Sequence, residues 1–519
     1  MKRLLLYFVL IFIASSCRGQ RLDSGSIPPE EVRKPVFAGE FYPSDPKVLN
    51  NTLKTFFAQA KTPVLKNVLA IVIPHAGYIF SGQIAADALN QIKNNSYDLI
   101  VILGTNHTSA DFTGISIYPK GAFGTPIGNA DIDEQTASAL LKKDPSFTTD
   151  LSVHAKEHSI EVQVPFIKYL FPETKILPII VSGSSPEIYT KLANALSSIL
   201  KNKKVLIVAS SDLSHYPNFD DALKTDRKTL KAITTLNLNE IGSEMRSQLD
   251  KKVANLLTCA CGEAPVLAAI ATAKDLGAKQ GTIISYSNSG YNPVGDISKV
   301  VGYGAVAICG SNTTGTNTST SDGESNVPII GNLEEQATYS LTSKDKEELL
   351  TYSRSTLAQF FWTQTVPIPR GGNTPLMKIK RGAFVTLKLN GELRGCIGHM
   401  AEDIPIYATI GSMTLNAAFK DNRFDPLSPV ELPKIRIEIS VLTPFRRIGS
   451  ADDIQLGRDG VLLKKGNYQA VFLPQVATET GWNKQTFLDQ LSLKAGLNKG
   501  DWKEAELYTF QADIFSEKE

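Results

Sequence analysis

Four short apolar runs constrain this chain more than any other feature. Residues 68–73, 99–103, 176–181 and 205–209 are continuous stretches of aliphatic side chains, broken only by a proline in the third. A strand with one wet face alternates apolar and polar residues, so a run without alternation needs cover on both faces. Helical periodicity lies at 82–92, 132–141, 160–170, 187–200 and 264–276, with further strands expected near 282–286 and 300–308. This alternation predicts an α/β domain built on a mainly parallel sheet.

The chain has only six histidines, and three directly follow one of these runs. His75 lies in Pro74-His75-Ala76-Gly77-Tyr78, His107 in Gly104-Thr105-Asn106-His107, and His215 five residues after Ser210. Ligands of open α/β sheets bind outside the carboxyl ends of the strands. Three imidazoles delivered to one edge can converge on a single metal ion or substrate. The alternative is that each hydrogen-bonds within its own loop. Cys261, just before the helical pattern at 264–276, is a fourth candidate, because a thiol at a helix N-terminus is expected to ionise more easily. Imidazole plus thiolate suits zinc, copper or iron. Cys259 is expected to pack. Glu157-His158-Ser159-Ile160-Glu161 opens a helix, and the three-residue spacing of His158 and Glu161 puts them on one face. That pair could do acid–base work or hold ligands from behind; capping by the acids is the other reading. His154 reads as a loop residue.

Residues 311–326 contain no large apolar side chain and cannot bury a core. The expected organisation is a first domain at 33–310, a flexible linker at 311–330 and a second domain at 331–519. The second domain patterns differently. A helix is expected at 344–361 behind a capping signal at Thr342 to Asp345. Alternating segments at 383–389 and 435–442 flank another helix at 404–419, and 461–473 reads as a hairpin. Asn390-Gly391 is a strong type I′ turn signal. The mixture predicts an α+β fold with antiparallel strands.

At the N-terminus, Lys2 and Arg3 precede eleven apolar residues at 4–14, too few to span a bilayer comfortably. Ala14-Ser15-Ser16-Cys17 resembles a bacterial lipobox. Residues 1–17 are therefore expected to be a lipoprotein signal peptide, with Cys17 lipidated and the protein exported and anchored in the bacterial cell envelope. The charge count of 54 basic against 52 acidic residues argues against a dedicated nucleic-acid binder. The other four cysteines, Cys259, Cys261, Cys309 and Cys396, read as individual thiols.

The motifs also carry two resemblances. Arg33 to Gly39 with Phe41-Tyr42-Pro43, the segments around His75, His107 and Glu157 to Glu161, Ser211-Asp212 with His215, and Cys261-Gly262 occur in the order of the Memo-like family, also called AmmeMemoRadiSam system protein B. That resemblance implies a fold similar to class III extradiol dioxygenases. It also implies non-haem iron or copper held by His75, His107 and Cys261, with His215 beside them. The dioxygenases use a carboxylate where this chain has Cys261, which argues against ring cleavage. Leu393-Arg394-Gly395-Cys396-Ile397-Gly398 and Asp421 to Pro426 resemble the AMMECR family, AmmeMemoRadiSam system protein A, with Arg394, Cys396 and His399 as candidate site residues. The family naming implies a radical-SAM partner, a link that the export signal opposes. The leading expectation is a metalloprotein of oxidoreductase type acting on an unknown small molecule. The alternative is a non-catalytic ligand- or peptide-binding protein with an AMMECR-like interaction module.

Overall fold

All four apolar runs become strands at the centre of one eight-stranded sheet. The computed structural model describes residues 32–183, 185–311, 339–369 and 374–518. Cys17 with the whole expected signal peptide, and all but the first residue of the 311–330 linker, lie outside the described residues. Val68–Ile73, Val205–Ser210, Leu99–Gly104 and Lys175–Ser182 are neighbours in that order, and all pair in parallel. Antiparallel pairs flank this parallel centre. Gly302–Gly310 pairs antiparallel with Val68–Ile73, Ala278–Asn288 lies antiparallel beyond it, and Gly114–Ile117 runs antiparallel to Lys175–Ser182.

The unbroken apolarity of the central strands has a direct structural cause. Ala70 and Val72 point into one cluster with Leu192, Leu196, Val266 and Ile270, from the helices Pro186–Leu200 and Glu263–Asp275. Ile71 and Ile73 point into another with Leu53, Ile84 and Phe166, from Pro46–Gln59, Tyr78–Asn90 and Val164–Leu170. Each valine, leucine, isoleucine or phenylalanine buried in this way contributes about 1.5–3 kcal/mol. The helix expected at 160–170 is broken into His158–Glu161 and Val164–Leu170. Pro165 in the first turn of the second piece has no N–H to continue a helix. In the first unit the long helices Pro46–Gln59, Phe219–Thr234 and Leu238–Asp250 were not expected; the last two have charged sequences that leave only a narrow apolar stripe.

The second unit contains two four-stranded antiparallel sheets. In the first, Glu392–His399, Ala383–Leu389, Ile435–Leu442 and Ala512–Ser516 lie side by side, with the helices Ser343–Thr363 and Ile406–Phe419 packed against them. Thr342 and Asp345 form the capping box. Asn390 and Gly391 both take positive φ, 54° and 86°, as a type I′ turn requires. The two units touch. Thr52 Oγ1 donates to Thr363 O at 3.1 Å, Gln59 Nε2 to Gln359 Oε1 at 3.1 Å, and Lys380 Nζ sits 3.0 Å from both carboxylate oxygens of Asp220. Among the described residues no helix is long and apolar enough to cross a membrane.

Candidate metal site

Three neighbouring strands deliver the candidate side chains to one edge of the sheet. His75 follows Val68–Ile73, Asp212 and His215 follow Val205–Ser210, and His107 follows Leu99–Gly104. Adjacent strands lie about 4.8 Å apart, so side chains from their successive loops come within coordination range. Cys261 arrives from the other side of the sheet edge, just before the helix Glu263–Asp275. Gly262 allows this approach: a Cβ there would lie 2.5 Å from Ser210 O. Gly104 plays the same part for the 157–161 segment, where a Cβ would lie 2.6 Å from Ser159 Oγ.

The donor atoms of His75, His107 and Cys261 lie within 4.8 Å of one another. Cys261 Sγ is 3.1 Å from His75 Nε2. The surrounding hydrogen bonds fix which ring nitrogens carry protons. Ser210 Oγ gives its single proton to Ser159 O at 2.5 Å, so it accepts from His75 Nδ1 at 3.1 Å. His107 Nδ1 faces Glu157 Oε1 at 2.9 Å, and His215 Nδ1 faces Leu213 O at 3.1 Å. Both acceptors lack protons, so all three rings carry hydrogen on Nδ1, which leaves Nε2 as the nitrogen that can bind a metal ion. That is the arrangement in which a neighbouring acceptor fixes the tautomer of a metal-binding histidine. The residues therefore fit a transition ion: two imidazole nitrogens and one sulfur, within one coordination shell.

Electrostatics favour the neutral form of His75 and His158. Burial, and then the charge of His107, hold His75 well below its ordinary range. Burial, with His75 and His107 nearby, brings His158 down to about 3. His158 stacks on His107 with centroids 4.6 Å apart and packs against Phe41 at 4.8 Å. Burial raises Glu157, but the hydrogen bonds and charge of His107 outweigh it and hold the carboxyl well below the usual range.

Two expectations are corrected here. Cys261 stands at a helix N-terminus, but its thiol is raised, not lowered. Burial is the larger cause and the Asp212 carboxylate the second. Glu161 does not join His158 in the site. Its helix is a single turn, and its carboxylate is buried against Arg33 Nη1 at 2.6 Å, the Phe37 N–H at 2.7 Å and the Tyr42 hydroxyl at 2.8 Å. Asp212, Glu157 and Ser210 are the site residues that sequence reasoning did not single out. Their signal was position: Asp212 shares the strand-end loop of His215, and Glu157 adjoins His158. His154 lies in the short helix Ser152–Ala155 and is buried, with burial bringing it down to about 3. Cys259 is buried, with Sγ 3.6 Å from Met245 O.

In the second unit, Arg394, Cys396 and His399 do not converge. Arg394 occupies a bulge in the pairing of Glu392–His399 with Ala383–Leu389 and grips Glu431 at 2.7 Å. The Cys396 N–H donates to Asp421 Oδ2 at 2.9 Å, and its Sγ accepts from Thr386 Oγ1 at 3.3 Å. His399, an odd number of residues further along the strand, pairs with Asp403 at 2.6 Å.

A family model described as Memo-like protein matches residues 33–307, more than half of the chain. The chain belongs to the Memo-like family. A second model, AMMECR1, matches residues 350–515, so this Memo-like protein also carries an AMMECR1 domain. A MEMO1 family protein of Aquifex aeolicus is 38% identical over 273 residues, covering 52% of this chain and 97% of that protein. One of Methanopyrus kandleri is 34% identical over 291 residues, covering 53% and 98%. An uncharacterized protein of Pyrococcus horikoshii, solved by crystallography, matches with 31% identity and a TM-score of 0.32, over 35% of this chain and 95% of its own. The residues matched by the Memo-like family model, 33–307, hold the His/Cys cluster.

Proposed function

We propose that this Memo-like protein is an exported, lipid-anchored metalloprotein of oxidoreductase type that acts on a small molecule. One observation carries the reading: two imidazole nitrogens and a sulfur, from three separate loops, lie within one coordination shell. A redox-active ion there, iron or copper, would supply one-electron chemistry. The chain's own residues supply the rest. Glu157 and Ser210 hold the protons of His107 and His75 at Nδ1 and keep Nε2 free. Phe37 and Phe41 cover His158 and shield that side of the cleft from water. His158, neutral at physiological pH, is placed to accept a proton from a bound molecule, and a ring nitrogen of His215 lies within 4.8 Å of the Cys261 sulfur. The apolar segment at 4–14 followed by Cys17 supports export and lipid attachment.

The test is elemental analysis of protein isolated from its own compartment without added metal. His75→Ala, His107→Ala and Cys261→Ala should each lose most of the bound iron or copper and stay folded, whereas Cys259→Ala should match the wild type. Full occupancy in all three ligand variants removes the proposal. Cys17→Ser should release the protein from membranes or block its processing. An unchanged membrane fraction with unchanged mass removes the anchor.

A further inference from the structure

Cys261 belongs to two donor sets. One is His75, His107 and Cys261; the other is Asp212, His215 and Cys261, again with all donor atoms within 4.8 Å of one another. Ligands around one ion at roughly 2.0–2.3 Å stand no more than about 4.6 Å apart. Each triad is therefore the size of one coordination shell. The five donors divide into two such sets and do not form one, so a single ion does not gather them all.

A third grouping, His107, Glu157 and His158, is of another kind. Both Glu157 oxygens are already used: Oε1 by the Ser159 N–H and His107 Nδ1, Oε2 by the His107 N–H. Glu157 is an anchor for His107 and not a free donor.

The Asp212 set is uncommitted. His215 presents Nε2, because Nδ1 is tied to Leu213 O. Asp212 uses Oδ1 for the N–H groups of His75 at 2.8 Å and Ala76 at 3.3 Å, and Oδ2 makes no hydrogen bond among the described residues. The residue is 4% exposed, and no lysine or arginine among the described residues pairs with it. A buried carboxylate without a cationic partner is costly, and a metal cation is one of the groups that offsets the cost.

We propose that the chain binds two transition-metal ions bridged by the Cys261 sulfur, the second held by Asp212 and His215. The proposal rests on the reading of His75, His107 and Cys261 as a metal site. An oxygen, a nitrogen and a sulfur make a borderline set suited to divalent first-row ions. Two adjacent cations also drive the Cys261 proton off to solvent, since a coordinating thiol is deprotonated outright. With His215 engaged, proton transfer to or from a bound molecule falls to His158.

The test is a cobalt(II) titration of the metal-free full-length protein. Thiolate-to-cobalt absorbance and the metal-to-protein ratio after desalting are both read. The wild type should take up two equivalents. His215→Ala should take up one and keep the thiolate band. Asp212→Asn should behave the same way, because its amide oxygen still accepts the His75 and Ala76 N–H groups and keeps the loops in place. One equivalent in the wild type, lost in His75→Ala, overturns the second ion and leaves the first site standing. Two equivalents in His215→Ala also overturn it. No uptake by the wild type overturns both sites together.

Discussion

Replacing Arg33 with alanine tests the assignment of Glu161 to structure instead of catalysis. Arg33 is 5% exposed and Glu161 1%. The guanidinium binds Glu161 Oε2 at 2.6 Å and the carbonyls of His154, Glu157 and Ala155 at 2.9, 3.1 and 3.3 Å. It thus holds the segment that carries Glu157 and His158 by backbone carbonyls at one end and by the Glu161 side chain at the other. Removing one partner of a buried pair leaves an uncompensated charge and costs about 3–5 kcal/mol. In a domain of this size each kcal/mol moves the midpoint by roughly 2–4 °C, so Arg33→Ala should lower the first transition by about 10 °C. Differential scanning calorimetry of the full chain reads this directly. Adding Glu161→Gln to Arg33→Ala should recover part of the loss, because the stranded charge is gone. A shift under about 2 °C, or a double variant no more stable than the single one, would refute the argument. So would Glu161→Gln that folds and binds metal like the wild type but has lost all activity.

Glu157→Gln should weaken metal binding by about 10–100-fold through the looser His107, read by competition with a chelator. Because Glu157 is held below its ordinary range, the stability it gives is present above about pH 4.5 and fades as the pH falls towards 2, and the variant should lack that dependence. Asp226 has the opposite sign. Burial raises it to about 7, although it accepts from the Ser214 N–H and the Tyr286 hydroxyl. Its contribution is full below about pH 4 and is lost as pH rises through 7, on the order of 4 kcal/mol. Denaturant midpoints should therefore favour pH 5 over pH 8 in the wild type, and Asp226→Asn should flatten that difference; an unchanged slope would sink this assignment.

The strand-end histidines were legible in the sequence because two separate physical facts agreed. Unbroken apolar runs mark strands covered on both faces, and the chain can place polar loops only where those runs stop. Cys261 was legible for its position and misread for its ionisation, because burial is a three-dimensional quantity that a helix boundary does not reveal. Glu161 failed for a related reason. A spacing of three does not say which partner a side chain takes, and here Arg33, 128 residues away in sequence, holds the carboxylate. The serine–carbonyl bond that sets the His75 tautomer joins residues 159 and 210, which no local pattern connects. In the second unit, a bulge at Arg394 shifted the alternation on which a shared face would depend.

The contact between the two units has a consequence for how they must be supplied. Few polar bonds cross it, although one apolar cluster includes residues of both units; were the free complex to have a dissociation constant of about 0.1 mM, it would fall apart at micromolar concentrations. A covalent connection changes the arithmetic, because a partner on the same chain is present at an effective concentration of about 1 mM. Even so modest an affinity would then keep the halves together roughly ten times out of eleven. At such an affinity, continuity of the chain would hold together what surface complementarity alone would not, and separately produced halves mixed at micromolar concentration should then stay apart.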